Sequence, residues 1–339
     1  MLARMAARRT SPAAQPVRRA GERIDLHPGS SIREAARLIL LNDAAALLRY
    51  RPGMALDAEA VHRMRVARRR TLSTLRLFEA ELPARIANTR KALKTVLGGL
   101  ASVRDLDVQS AQLDAVSDGL ATMGREPLDA LREHMQTQSA AARLQMRRTL
   151  ESRAAQRLLA TLRTGLQENT WTGPRGSELP VVSVLPERLR QRYRRLRKRG
   201  KRIHEGSPAD ELHEVRRRAK HLRDALAPFT EWYGEPAQRL QRSLERLQEL
   251  LGRHQDAHVA TMHLEQWVTT QPQLAAQTVF LMGRLAEHHC ATMRRMRRRL
   301  PKAWRRIDKR WKALARALRC TPTRPARTHD EPARQPGAS

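Results

Sequence analysis

The feature that most constrains the fold is a stretch that occurs twice. It reads V-H-R-M-R-V-A-R-R-R-T-L-S-T-L-R-L-F from Val61 to Phe78 and returns as L-H-E-V-R-R-R-A-K-H-L-R-D-A-L-A-P-F from Leu212 to Phe229. An offset of 151 residues sets His62 on His213, Arg65 on Arg216, Arg69 on Lys220, Leu75 on Leu226 and Phe78 on Phe229. It continues without a gap, so that Leu93 meets Leu244, Leu100 meets Leu251 and Asp105 meets Asp256. A repeat of this length points to two copies of one structural unit.

Both copies carry a helical period. With about 100° of rotation per residue, Val61, Met64, Thr71, Leu75 and Phe78 share one arc, and so do Leu212, Val215, Leu222, Leu226 and Phe229. These are the expected core stripes. His62, Arg65, Arg69 and Arg76 fall in a narrower arc beside the first stripe, and His213, Arg216, Lys220 and Arg223 lie alongside the second. A row in that position can rest its stems on apolar surface and turn its heads toward an anion. From His62 to Arg76 the row is about 21 Å long, which suits a linear, multiply charged ligand. A solvated charged face is the ordinary reading of one basic helix. The same row twice, in register and led by His each time, favours a shared ligand. Arg68 breaks the pattern, because it sits in the apolar arc where its counterpart is Ala219.

The remaining punctuation predicts an all-α chain of two pseudo-symmetric antiparallel helical bundles with a basic central groove or channel. Residues 1–30 read as a disordered basic arm and 31–168 as the first bundle. Residues 169–184 are a linker, 185–319 the second bundle and 320–339 a disordered tail. Asp57 is placed to cap the first motif helix. The third helix of the second copy is expected from Pro236 to Leu251, with a fourth from about Gln255. Further helices follow from about Pro272 to Arg299 and from Pro301 to Arg319. Ahead of the second motif, Leu185, Leu189, Tyr193, Leu196 and Ile203 share a face flanked by Arg188, Arg192, Arg195 and Arg199. Arg37 is the counterpart of Arg188 in the first copy. Between Arg294 and Arg319 stand 13 Lys or Arg against the single Asp308.

Charge narrows the partner. Lys and Arg number 66 against 34 Asp and Glu, a formal net charge of +32. Only eight of the 66 are Lys, and the guanidinium fork suits phosphate oxygens. A polyanion is the expected partner. Two distant cysteines and no apolar run near the roughly eighteen residues of a membrane span point to a reducing, cytoplasmic setting without a membrane partner.

The quoted motifs, with the trailing L-x-x-F, R-D-L-D-V at Arg104–Val108 and L-L-G-R-H-Q-D-A-H-V in the second copy, resemble the CHAD family, the conserved-histidine α-helical domain. The resemblance covers about residues 31–319. It implies a basic channel that binds inorganic polyphosphate, and association with polyphosphate granules and their proteins. Carried over by position, the phosphate-facing groups are His62, Arg65, Arg69, His213, Arg216, Lys220 and Arg223. Thr71 and Leu72 stand where the family usually has Leu-Arg, and Gln255 where it usually has Asn. Some members carry a CYTH triphosphatase domain, whose Glu-x-Glu-x-Lys signature is not matched at Glu79–Pro83, so no catalysis and no cofactor are expected.

Other constellations weigh less. His254 and His258 have zinc-compatible spacing but fall short of the usual three or four ligands, so no metal is expected. Asp105 and Asp256 are expected to cap a fourth helix or brace a basic side chain. The alternative function is non-sequence-specific nucleic-acid binding, against which aromatics are only 3% of the chain and offer few stacking platforms. An enzyme acting on polyphosphate is disfavoured for want of clustered carboxylates to hold a metal.

Overall fold

A computed structural model describes residues 26–120, 125–168, 171, 176–271 and 273–320. Most of the expected arm and nearly all of the expected tail lie outside these residues. Among the described residues the chain is all-α, with helices α1 (Ile32–Leu48), α2 (Ala58–Leu77), α3 (Ala84–Ala87), α4 (Thr89–Val96), α5 (Leu100–Leu120), α6 (Arg125–Glu151), α7 (Arg153–Gln167), α8 (Val181–Gly200), α9 (Ala209–Leu226), α10 (Gly234–Thr270) and α11 (Ala276–Ala317). Asp57 caps α2 as expected, its Oδ1 accepting from the Ala60 amide at 2.6 Å.

Both predicted core stripes are buried along their whole length, Val61 to Phe78 on α2 and its end, and Leu212 to Phe229 on α9 and the turn beyond it. Thr71 is tolerated there because its hydroxyl donates to the Ala67 carbonyl at 2.8 Å, which leaves no orphan polar group. On α8, Leu185, Leu189, Tyr193 and Leu196 are buried as one face.

Two expected breaks do not occur. α10 runs through Gly252, and α11 runs through Pro301. A proline inside a helix costs about 3 kcal/mol. Around Pro301, however, Leu300, Trp304, Ile307, Trp311 and Leu314 form one buried face. Each such side chain contributes about 1.5–3 kcal/mol on burial, so continuity wins. Gly252 is buried against Arg216, where a Cβ would stand 3.3 Å from Nη2, and that close approach accounts for a glycine in mid-helix. The first copy breaks slightly earlier, at Leu97–Gly99 between α4 and α5, which the offset sets on Gln248–Leu250 inside α10. The second bundle, expected from 185, begins earlier, because α8 starts at Val181, whose amide donates to the Ser30 carbonyl at 2.9 Å. Part of the expected linker is also packed, since Trp171 is buried and donates to the Gly165 carbonyl at 2.6 Å.

The residues cluster into two compact units that do not follow the expected linear division. Of the described residues, unit 1 holds those of 32–178 together with 256–290, and unit 2 holds 26–31, 179–255 and 291–320. The reason is the length of α10 and α11, since the end of one and the start of the other form a hairpin that packs in unit 1. There Trp267, Leu281, Met282 and Leu285 share a core with Leu113, Leu128 and Leu131. Unit 2 is built from α8, α9, the first part of α10 and the last part of α11. Tyr193 on α8 stacks on Trp311 of α11 with ring centroids 4.1 Å apart, and its hydroxyl donates to Asp308 at 2.5 Å.

Several arginines of unit 1 serve the fold. Helix C-termini leave carbonyls without intrahelical donors and carry partial negative charge. Arg51 and Arg163 donate to the Leu48 carbonyl at the end of α1, at 2.8 and 2.9 Å. Arg68 donates to the carbonyls of Leu93 and Lys94 near the end of α4, at 3.1 and 3.0 Å. Its place in the apolar arc thus follows from its reach to a neighbouring helix end.

Unit 2 yields a stability prediction. A Cβ on Gly200 would stand 2.3 Å from the Trp304 ring, so Gly200→Ala must displace a large buried side chain. The expected loss is about 1–3 kcal/mol, read as a lowered urea midpoint followed by tryptophan fluorescence. An unchanged midpoint would mean that α8 and α11 do not pack this closely.

Candidate anion-binding site

The candidate residues lie on α2 in unit 1 and on α9 in unit 2, and in each helix the apolar stripe fixes which way the flank faces. On α2, Arg65, Arg69 and Arg76 are half-buried and His62 is exposed; on α9, Arg216, Lys220 and Arg223 are half-buried and His213 is exposed. The cations therefore stand at the border of each seam, as the periodicity predicts. Burial of the stem limits where each head can go.

In unit 2, Arg223 Nη2 donates to buried Asp224 at 3.2 Å, and the Arg216 guanidinium lies over the backbone at Gly252. His213 Nδ1 is 3.2 Å from Gln255 Oε1, so the residue that replaces the family's Asn reaches the leading histidine. On α8, Arg188 and Arg192 are half-buried, whereas Arg195 and Arg199 are exposed toward the helix end. In unit 1, Arg37 does not mirror Arg188 freely, because its Nη1 donates to the Leu166 carbonyl near the end of α7 at 3.3 Å.

His62 has a different neighbourhood. Much of its ring reaches solvent, yet partial burial holds its pKa below the ordinary 6.5, with Arg65, Arg104 and Arg69 pushing the same way against Glu59. Arg104 was not singled out from sequence. The offset of 151 gives the signal that could have found it, since it places Arg104 on Gln255, the residue that touches His213.

The weaker constellations resolve as follows. Asp105 and Asp256 lie inside α5 and α10, so neither caps a helix. His254 is buried, and its Nε2 accepts from Arg297 Nε at 3.0 Å, an arrangement that opposes a second cation on the ring. Among the described residues no group of three or more His, Cys, Asp or Glu is placed to hold a metal ion, and no helix is long and apolar enough to cross a membrane.

Comparison with known proteins bears on this site. A family model described as the CHAD domain matches residues 38–265. An uncharacterized protein of Mycobacterium tuberculosis, found in two strains, is 28% identical over 262 residues, which are 74% of this chain and 48% of that protein. The chain thus spans about half the length of the curated relatives it matches. The crystal structure of the CHAD domain from the plant Ricinus communis is similar with a TM-score of 0.65 and 23% identity, covering 91% of this chain and 99% of that one. PptA from Streptomyces chartreusis is similar with a TM-score of 0.56 and 18% identity, covering 84% and 98%. At these identities the two structures bear on the fold.

A titration checks the cationic surroundings of His62. In the free chain its ring resonances are expected to titrate below the ordinary 6.5, because burial and three guanidinium groups favour the neutral ring. Arg65→Ala should move the midpoint up. The lowered value also means that this ring opposes folding as pH drops past its ordinary value, where the unfolded chain binds the proton first. A midpoint above the ordinary value in the unaltered chain would contradict the arrangement.

Proposed function

Since the chain belongs to the CHAD domain family, a family associated with polyphosphate, we propose that it binds inorganic polyphosphate through the rows on α2 and α9. The observation that carries this reading is the pair of His-led rows, each half-buried at the border of an apolar seam and set in the same order. Phosphate oxygens accept charge-assisted hydrogen bonds from Arg and Lys, each contributing about 1.5–3 kcal/mol. A linear polyanion meets several of these groups at once, so modest single contacts add to a tight complex.

The core set is His62, Arg65, Arg69, Arg76, His213, Arg216, Lys220 and Arg223. Arg104 joins it beside His62, and Arg188 and Arg192 flank it on α8. Arg195 and Arg199 extend it at the exposed end of that helix. Binding proceeds without turnover, and the protein works in the cytoplasm with polyphosphate granules and their other proteins. Nucleic acid meets the same positive field but gains less from the rows, which lack interleaved aromatic rings for base stacking.

The test compares retention of long-chain polyphosphate with that of DNA and RNA of matched charge at about 0.15 M salt, with phosphate release followed in the same samples. Polyphosphate should be retained best and released intact. Arg65→Ala with Arg216→Ala should weaken its binding at least about a hundredfold while leaving the melting temperature unchanged. Equal retention of nucleic acid, normal binding by the double variant, or metal-dependent phosphate release would each overturn a part of the proposal.

A further inference from the structure

In unit 1 a partly open cavity of about 310 Å³, lined by none of the row residues, lies between α5, α6, the end of α10 and the start of α11. Leu113, Leu131, Trp267 and Leu285 give it an apolar floor. The rest of its wall mixes further apolar side chains with the carboxamides of Gln109, Gln112 and Gln138, the imidazoles of His134, His263 and His289, and one carboxylate, Asp105. The offset of 151 pairs Gln112 with His263 and Gln138 with His289, so matched positions of both sequence copies contribute to one wall.

Folding alone does not ask for this wall. A helical seam is most stable when it is apolar or when every buried polar group is paired. Some pairing is present: His263 Nδ1 lies 3.1 Å from Gln109 Oε1, and His134 stacks on Trp267 with centroids 3.9 Å apart. It is incomplete, since Gln109 Nε2, Gln112 Oε1 and Trp267 Nε1 are covered from solvent and find no hydrogen-bond partner in the chain. Buried groups of this kind are normally satisfied, so two donors and one acceptor at this wall call for a partner that the chain does not supply.

Charge defines what that partner can be. In a chain with 66 Lys and Arg, neither residue type lines this cavity. Burial holds His134 below its ordinary pKa, and burial with His288 does the same for His289. An anion brought here would lose its hydration without gaining a cation and would meet the Asp105 carboxylate, which already has a partner within the chain and so leaves no free negative charge to draw a cation.

We propose that this cavity binds a small uncharged molecule carrying an amide-type donor and acceptor side by side, separately from the anion-binding rows. Gln109 Nε2 offers a donor and Gln112 Oε1 an acceptor, each on a soft terminal torsion. Turning those amides brings the covered groups to the C=O and N–H of the ligand, while Leu113, Leu131 and Leu285 cover its apolar part. The volume lies at the lower end of the range for small-molecule pockets, roughly 300–1,000 Å³.

Ligand-observed NMR on the full chain, with uracil and nicotinamide as neutral amide probes, tests the assignment. At least one probe should bind saturably with a Kd on the order of 1 mM or tighter, as expected for ligands of this size. Gln109→Leu with Gln112→Leu should weaken binding at least about tenfold. Should that pair fail to fold, Gln138→Leu at the exposed rim decides, with weakened binding expected there as well. No binding of either probe, unchanged binding in the folded variants, or competition by inorganic phosphate would overturn the proposal. Polyphosphate retention should be unaffected in Gln138→Leu, and its loss would refute the separation of cavity and rows.

Discussion

Guanidinium groups one helical turn apart repel one another, and the apolar seam beside them is what holds α2 and α9 in place. A like-charge pair at that spacing costs a few tenths of a kcal/mol in solvent (about 0.2–0.5). Each fully buried Leu, Val, Met or Phe contributes about 1.5–3 kcal/mol, and each stripe buries at least four such side chains. The seam therefore exceeds the repulsion several-fold. That margin lets a row of cations stay half-buried beside the seam instead of dispersing into solvent.

The surplus of arginine divides into two kinds of work. Arg51, Arg163 and Arg68 place their N–H groups on carbonyls near helix ends, and Arg37 does the same at Leu166. Arg143 ties the Leu56 carbonyl to Asp107. In each case an orphan acceptor fixes the guanidinium. The row residues sit on the flanks of α2 and α9, with Arg65, Arg69, Arg216 and Lys220 in the helix interior, where the backbone carbonyls are already used, and Arg76 and Arg223 in the last turn. The distinction rests on local geometry, and counting charges would miss it.

Sequence periodicity was sufficient for what depends on one helix at a time. It placed every residue of both stripes on a buried face and every row residue at the border, because rotation per residue is a property of the helix itself. It failed where tertiary packing decides. Pro301 is a local stop signal, yet the buried face from Leu300 to Leu314 outweighs the lost backbone bond. The division into units followed from that continuity and so could not be read from a Pro- and Gly-rich stretch at 169–184. Arg37 and Leu166 are 129 positions apart, beyond the reach of any periodic reading. The cavity wall was hidden for a related reason, since glutamines and histidines at helical spacing look like an ordinary polar face until a distant hairpin covers them.

The two rows are alike in order but not in chemistry, and the difference lies in the residue 42 positions on that stands beside each leading histidine. Beside His62 stands Arg104, a third cation that with Arg65 and Arg69 favours the neutral ring. Beside His213 stands Gln255, a neutral group within hydrogen-bonding distance of Nδ1. An anion arriving at the first row screens the guanidinium groups and so raises the proton affinity of His62, which couples binding there to proton uptake. At the second row the contact with Gln255 orients the ring before any ligand arrives. The same backbone position in the two copies thus sets a cation beside one leading histidine and a neutral amide beside the other.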